Sequence, residues 1–132
     1  MALYMVKERL KTFENCKWPF DDKAPCSVQK VAEAGFYYVN GTEDTTVCVV
    51  CQKELEGWEE GDSPLKEHQK HSPDCPFLTI ADPYKLSLRQ VISLETYALE
   101  CIKKRKMANT KEKMMKNVEH LLEVFDKHMP TK

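Results

Sequence analysis

Between Pro83 and Pro130 the chain holds neither glycine nor proline, and its four glycines, Gly35, Gly41, Gly57 and Gly61, all precede residue 80. So long an interval without a breaker excludes a series of turns and predicts one helix, Ser87–His128, about 63 Å long at 1.5 Å per residue. No run of about 18 apolar residues occurs, so no segment is a candidate membrane-spanning helix. The opening Met1-Ala-Leu-Tyr-Met-Val-Lys-Glu-Arg9 runs straight into charge without the apolar core of a secretion signal. The expectation is therefore an intracellular chain with reduced thiols, not a disulfide framework. A second cysteine cluster beyond Cys75 is also missing, which argues against the added zinc module of a ubiquitin ligase.

Net charge is small as well, at −1, but the total conceals an asymmetry. Residues 1–80 carry 9 Lys/Arg against 14 Asp/Glu, and residues 81–132 carry 11 against 7. Breakers and charge thus change at the same place. They divide the chain into a compact unit, 1–80, and a linker with a long helix, 81–132, two parts that should prefer different partners.

What is present within the first part is a set of metal ligands. Cys48, Cys51, His68 and Cys75 are spaced C-x2-C-x16-H-x6-C. The close pair suits a turn that points two sulfurs at one ion, and a histidine and a third cysteine from separate elements complete a tetrahedral zinc shell. Four protein ligands leave no position for water, so such a site is a folding device, one Zn2+ and structural. Cys16, Cys26 and Cys101 remain outside this shell as reduced, mostly packed thiols.

Local signals around these ligands predict a small α+β unit. Val6–Phe13 reads as a short helix, and Ser27 as the N-cap of Val28–Ala34, which stops at Gly35. Phe36–Val39 and Thr45–Val50 form a hairpin around Asn40-Gly41. Pro64 opens a helix over Leu65–His71 that presents His68. Phe13, Trp18, Phe20, Phe36 and Phe77 supply apolar area to a unit too small for a generous core.

These residues together resemble one family. Arg9-x-x-Thr12-Phe13, Trp18-Pro19, Ala32-Glu-Ala-Gly35-Phe36, Cys48-x-x-Cys51, Gly57-Trp58, His68 and Cys75 match, in order over about residues 7–78, the baculoviral inhibitor-of-apoptosis repeat, or BIR. The resemblance implies a zinc-binding BIR fold, a three-stranded antiparallel sheet with short helices, followed by the long helix, and no enzymatic activity. It also implies that Arg9 is partly buried and bonded to backbone. Two departures stand out. The acidic run after Trp58 is Glu59-Glu60-Gly61-Asp62-Ser63 instead of successive aspartates, and two extra residues fall around Cys16-Lys17.

Trp58 lies beside Glu54, Glu56, Glu59, Glu60 and Asp62. Taken alone, such a charge run is a solvated loop. Family position gives it a role: a peptide with a free α-amino group needs carboxylates, an apolar wall and a strand edge for its backbone. By resemblance, Glu56 and Asp62 take the ammonium, and Leu55 and Trp58 wall a methyl pocket. Lys53 and His71 meet a phosphothreonine in the amino-terminal tail of histone three. His71 has the alternative of an ordinary surface histidine.

The helix offers a second surface. Met115, Val118, Leu122, Phe125 and Met129 follow spacings of 3, 4, 3 and 4, a coiled-coil seam. Resemblance to single-repeat family members with such a helix implies borealin and inner centromere protein as helical partners, with an aurora kinase attached indirectly. It also implies a cytoplasmic and nuclear chain that visits the centromere in early mitosis and the spindle midzone and midbody later. Self-association and packing on its own domain remain open, as does a homodimer through Leu3, Tyr4, Tyr84, Leu86 and Leu88. The basic run Lys103-Lys-Arg-Lys106 lacks interleaved aromatics, and a solvated helix face explains it better than nucleic-acid contact. Three functional classes follow: a histone-tail-reading adaptor of chromosome segregation and cytokinesis, an apoptosis inhibitor that binds Ala-initiated peptides or caspases, and a cysteine hydrolase using Cys75 and His71. Zinc ligation by Cys75 would remove the last one's nucleophile.

Overall fold

The computed structural model describes residues 2–40 and 43–128. A 3-10 turn, Ala2–Tyr4, leads into α1, Val6–Lys11, and α2 spans Val28–Glu33. Strands β1, Phe36–Tyr38, β2, Thr46–Cys48, and β3, Glu54–Leu55, follow, then α3, Pro64–His71, a 3-10 turn at Pro76–Thr79, and α4, Leu88–His128. The sheet is antiparallel in the order β1-β2-β3. Phe36 pairs with Cys48 and Thr46 with Leu55.

The helix ends follow local chemistry. The Ser27 hydroxyl accepts the Lys30 N–H at 3.3 Å and caps α2. At α4 the Ser87 Oγ accepts the Gln90 N–H, while the Gln90 Oε1 accepts the Ser87 N–H at 2.8 Å. This reciprocal box satisfies two otherwise orphaned donors and fixes where the long helix begins. α1 ends at Lys11, short of Phe13: the Thr12 and Phe13 N–H groups tighten to the carbonyls three residues back, those of Arg9 and Leu10, and the Thr12 hydroxyl donates to the Arg9 carbonyl at 2.6 Å. The same hydroxyl accepts the Tyr38 N–H at 2.9 Å, tying α1 to β1.

Phe13, Val31, Phe36, Val50, Phe77 and Leu94 are buried together in one core, and Trp18 and Phe20 are half-buried against it. Gly35 makes a close approach possible. Its φ is +99°, and a Cβ there would lie 3.0 Å from the Phe77 ring. Arg9 is completely buried. Its Nε donates to the Ala32 carbonyl at 2.7 Å and its Nη1 to the carbonyls of Leu3 and Tyr4 at 2.8 and 3.0 Å. The guanidinium lies 5.3 Å from the centre of the Phe77 ring. Burial lowers its pKa to about 10, so it is still charged at neutral pH. It staples the amino-terminal turn to α2, the structural role expected of it.

The compact unit ends later than the change in composition at residue 80. Contacts divide the chain into 1–101 and 102–132. Leu94 and Ala98 are buried, so the first turns of α4 belong to the globular unit. Within the second unit every described side chain after Ile102 is exposed.

Candidate metal centre and peptide groove

Four elements bring the predicted ligands together. Cys48 ends β2, Cys51 closes the following turn, His68 sits on α3, and Cys75 precedes the 3-10 turn at Pro76. Their ligand atoms all lie within 4.8 Å of one another. The Cys48 and Cys75 sulfurs are 3.9 Å apart, and the Cys51 sulfur is 3.7 Å from His68 Nε2. Tetrahedral zinc, with Zn–S of about 2.3 Å and Zn–N of about 2.0 Å, requires edges of roughly 3.8 and 3.6 Å. The cluster therefore suits a zinc site.

Supporting hydrogen bonds set the ligands for that task. His68 Nδ1 lies 2.7 Å from the Ala34 carbonyl, which can only accept, so the proton is on Nδ1 and the Nε2 lone pair faces the sulfurs. The Val50 N–H donates to the Cys48 sulfur at 3.4 Å. Gln52 takes a φ of +61°, and its amide side chain donates to the Val49 carbonyl at 2.9 Å, closing the turn between the paired cysteines. Burial, reinforced by Cys51 and Cys75, pushes the Cys48 thiol up, whereas hydrogen bonds from Cys48 and Cys75 pull Cys51 down. Three sulfurs this close cannot all hold negative charge unaided, and a divalent cation bound there would supply the compensation.

The expected groove residues are arranged less uniformly. Lys53, Glu56 and His71 are exposed, and Leu55 and Asp62 are half-buried. Trp58, however, is only 7% exposed. Its ring packs edge-on against Phe36, with centroids 5.6 Å apart, and its Nε1–H donates to the Thr46 hydroxyl at 3.2 Å. Most of the apolar surface anticipated for a ligand is thus buried in the core. The Trp58 backbone N–H donates to Asp44 Oδ2 at 2.9 Å, a carboxylate that the sequence reading did not single out. Asp62 accepts the Glu59 N–H at 2.8 Å and so shapes the acidic turn, and Thr45 donates to Glu56 Oε2 at 3.4 Å. His71 Nε2 faces Glu67 Oε2 at 3.4 Å, one turn away. β3, between these groups, is an edge of the sheet.

On α4, Met115, Val118, Leu122 and Phe125 are exposed as the seam requires, and Met129 lies outside the described residues. The apolar surface is broader than that seam, since Met107, Met114 and Leu121 are exposed as well. The seven-residue spacing of these three was present in the sequence as a second, adjacent row. Of the dimer candidates, Tyr4 is 4% exposed and belongs to the core, whereas Tyr84 and Leu88 face solvent.

Comparison with known proteins bears on each part. The family described as BIR, Inhibitor of Apoptosis domain, matches residues 9–79. Baculoviral IAP repeat-containing protein 5.2-A of Xenopus laevis is 36% identical over 126 residues, 93% of this chain and 72% of that protein. Baculoviral IAP repeat-containing protein 5 of Mus musculus is 46% identical over 80 residues, 59% of this chain and 56% of that protein. Among solved structures, the autoinhibited dIAP1-BIR1 domain aligns with a TM-score of 0.52 at 31% identity, covering 71% of this chain and 90% of that one. DIAP1 BIR1 bound to a Grim peptide aligns with a TM-score of 0.51 at 28% identity, covering 74% and 94%.

Proposed function

This chain belongs to the BIR family of inhibitor-of-apoptosis proteins, in its survivin branch of a single repeat followed by a long helix, and on that premise we propose that it is a non-enzymatic adaptor of the chromosomal passenger complex. Its zinc-stabilised unit reads the amino-terminal tail of histone three phosphorylated on threonine, and its helix assembles with borealin and inner centromere protein, holding an aurora kinase indirectly. The process served is chromosome segregation and cytokinesis, at the centromere and later at the midzone and midbody.

The observation that carries the adaptor reading is the uncovered apolar face of α4. A unit that only bound a short peptide would have no use for it. For the tail, exposed Lys53 offers a point charge and exposed His71 a ring hydrogen-bond donor to a phosphate, and Glu56 with Asp62 suits an α-ammonium beside the β3 edge. A hydrolytic role finds no support in Cys75, which is 2% exposed and held among the metal ligands, or in His71, which pairs with Glu67.

Calorimetry of the zinc-loaded chain against Ala-Arg-phosphoThr-Lys and Ala-Val-Pro-Ile, each with a free and an acetylated terminus, tests the reading. Tighter binding of the free phosphopeptide, lost on acetylation, is the expected result, and His71→Ala should weaken it while leaving the fold intact. Unchanged discrimination in that variant would remove the phosphate assignment. The second reading, apoptosis control through Ala-initiated peptides, is favoured by the likeness to a BIR domain bound to a Grim peptide, and preference for Ala-Val-Pro-Ile would establish it.

A further inference from the structure

Seen by rows, the exposed face of α4 has a charged interruption in its centre. Lys104, Lys111, Val118 and Phe125 repeat every seven residues and form the middle row. Met107, Met114 and Leu121 run along one side of it, and Ala108, Met115 and Leu122 along the other. All described side chains in these rows are exposed, the large apolar ones between 48% and 72%. Positions three and four residues away are the neighbours of a helical side chain. For Lys111 these are Met107, Ala108, Met114 and Met115, so its side chain emerges from between apolar residues on all four sides. A shallow groove of about 430 Å³ runs past it from Lys106 to Val118. Lys104 has Met107 and Ala108 on its carboxy-terminal side and Glu100 one turn before it.

We propose that Lys104 and Lys111 are the specificity determinants of this face: they select a partner helix carrying two carboxylates seven residues apart, and they reject a second copy of this chain in parallel register. The inference rests on the reading of α4 as a docking helix and names the chemistry of its occupant. Any helix that covers the three rows takes the two ammonium groups out of water. Lys111 cannot escape sideways without crossing methionine on either flank, so its charge needs a facing carboxylate. Acidic residues at matching core layers meet that need and fix the register. In a parallel pair of identical chains, Lys104 would face Lys104 and Lys111 would face Lys111, a repulsive arrangement at both layers. Below them Val118, Leu121, Leu122 and Phe125 accept any apolar seam, so affinity resides in the carboxy-terminal half of the face and selectivity in the amino-terminal half.

The test uses the full zinc-loaded chain and two fluorescein-labelled synthetic helices of about four heptads. Their Leu/Ile seams are identical, and they differ only in Glu or Lys at two core positions seven residues apart. Fluorescence anisotropy should give at least about tenfold tighter binding of the Glu helix. The K104E/K111E chain should reverse the preference, and Phe125→Ala should weaken both. Equal affinity for both helices, still sensitive to Phe125→Ala, would overturn the selectivity and leave the docking reading standing. Binding of neither helix, or binding indifferent to Phe125→Ala, would overturn both. Independently, the K104L/K111L chain should self-associate in sedimentation velocity in a manner lost with Phe125→Ala. Sedimentation unchanged from the parent chain would overturn the rejection of self-pairing.

Discussion

Arg9 shows how much one buried side chain can hold. Its guanidinium serves three backbone carbonyls on two elements, and among the described residues no carboxylate is a hydrogen-bond partner. Arg9→Lys keeps the charge but cannot span those acceptors, so at least one buried carbonyl is left unpaired. A loss of about 2 kcal/mol in urea denaturation of the zinc-loaded chain is the expected outcome. Trp58 is the complementary case. Its position after Gly57 among acids reads as a ligand wall, yet the ring is buried against Phe36 and bonded to Thr46. Trp58→Ala should therefore lower stability by about 3–5 kcal/mol. Glu56→Gln, at an exposed position, should leave the melting temperature nearly unchanged and weaken a free-amine peptide. An equal melting temperature for both variants would contradict the burial. Neither outcome was legible in residue type alone, because an aromatic between charges looks the same whether it faces ligand or core.

At the level of elements, the metal site joins what short pieces cannot join alone. β2, α3 and the segment before Pro76 are each a few residues long, and one ion would tie them at Cys48, His68 and Cys75. Cys75→Ala is expected to abolish cooperative folding, as followed by circular dichroism and zinc release. Acid should do the same reversibly. Thiolates and a neutral imidazole bind zinc, protons compete for the same lone pairs, and retention is lost as pH falls, whereas mild alkali leaves it unchanged. Zinc release monitored by a chromophoric chelator from pH 8 down to pH 4 checks the sign. Helix existence was legible from breakers and caps: Ser27, Pro64 and the long gap after Pro83 placed α2, α3 and α4 within a residue or so. The hairpin strands came out shorter than expected, Phe36–Tyr38 and Thr46–Cys48: the Val49 N–H still donates to the Gly35 carbonyl at 3.0 Å, but Val49 and Val50 already belong to the turn that carries Cys51.

For the whole molecule, the boundary that matters is the one drawn by packing. The change of composition at residue 80 marks where breakers stop, but Leu94 and Ala98 return to the core from α4. A chain ending at Cys101 should melt within a few degrees of the full length. One ending at Ile80 exposes the surface that Leu94 covers and should lose about 2–3 kcal/mol or more. Differential scanning calorimetry of the two truncations distinguishes them, and equal melting would show that α4 adds nothing to the unit.

The four metal ligands were fixed by the sequence, since their spacing and donor chemistry suit one tetrahedral ion whatever surrounds it. So was the long helix, which needs only helix formers and the absence of breakers. Which face Trp58 shows, how far the compact unit extends and which rows of α4 stay uncovered were decided by tertiary structure. Each depends on contacts between residues far apart in the chain, such as Phe36 with Trp58 and Leu94 with the core, and no local pattern encodes the partner of a side chain that distant.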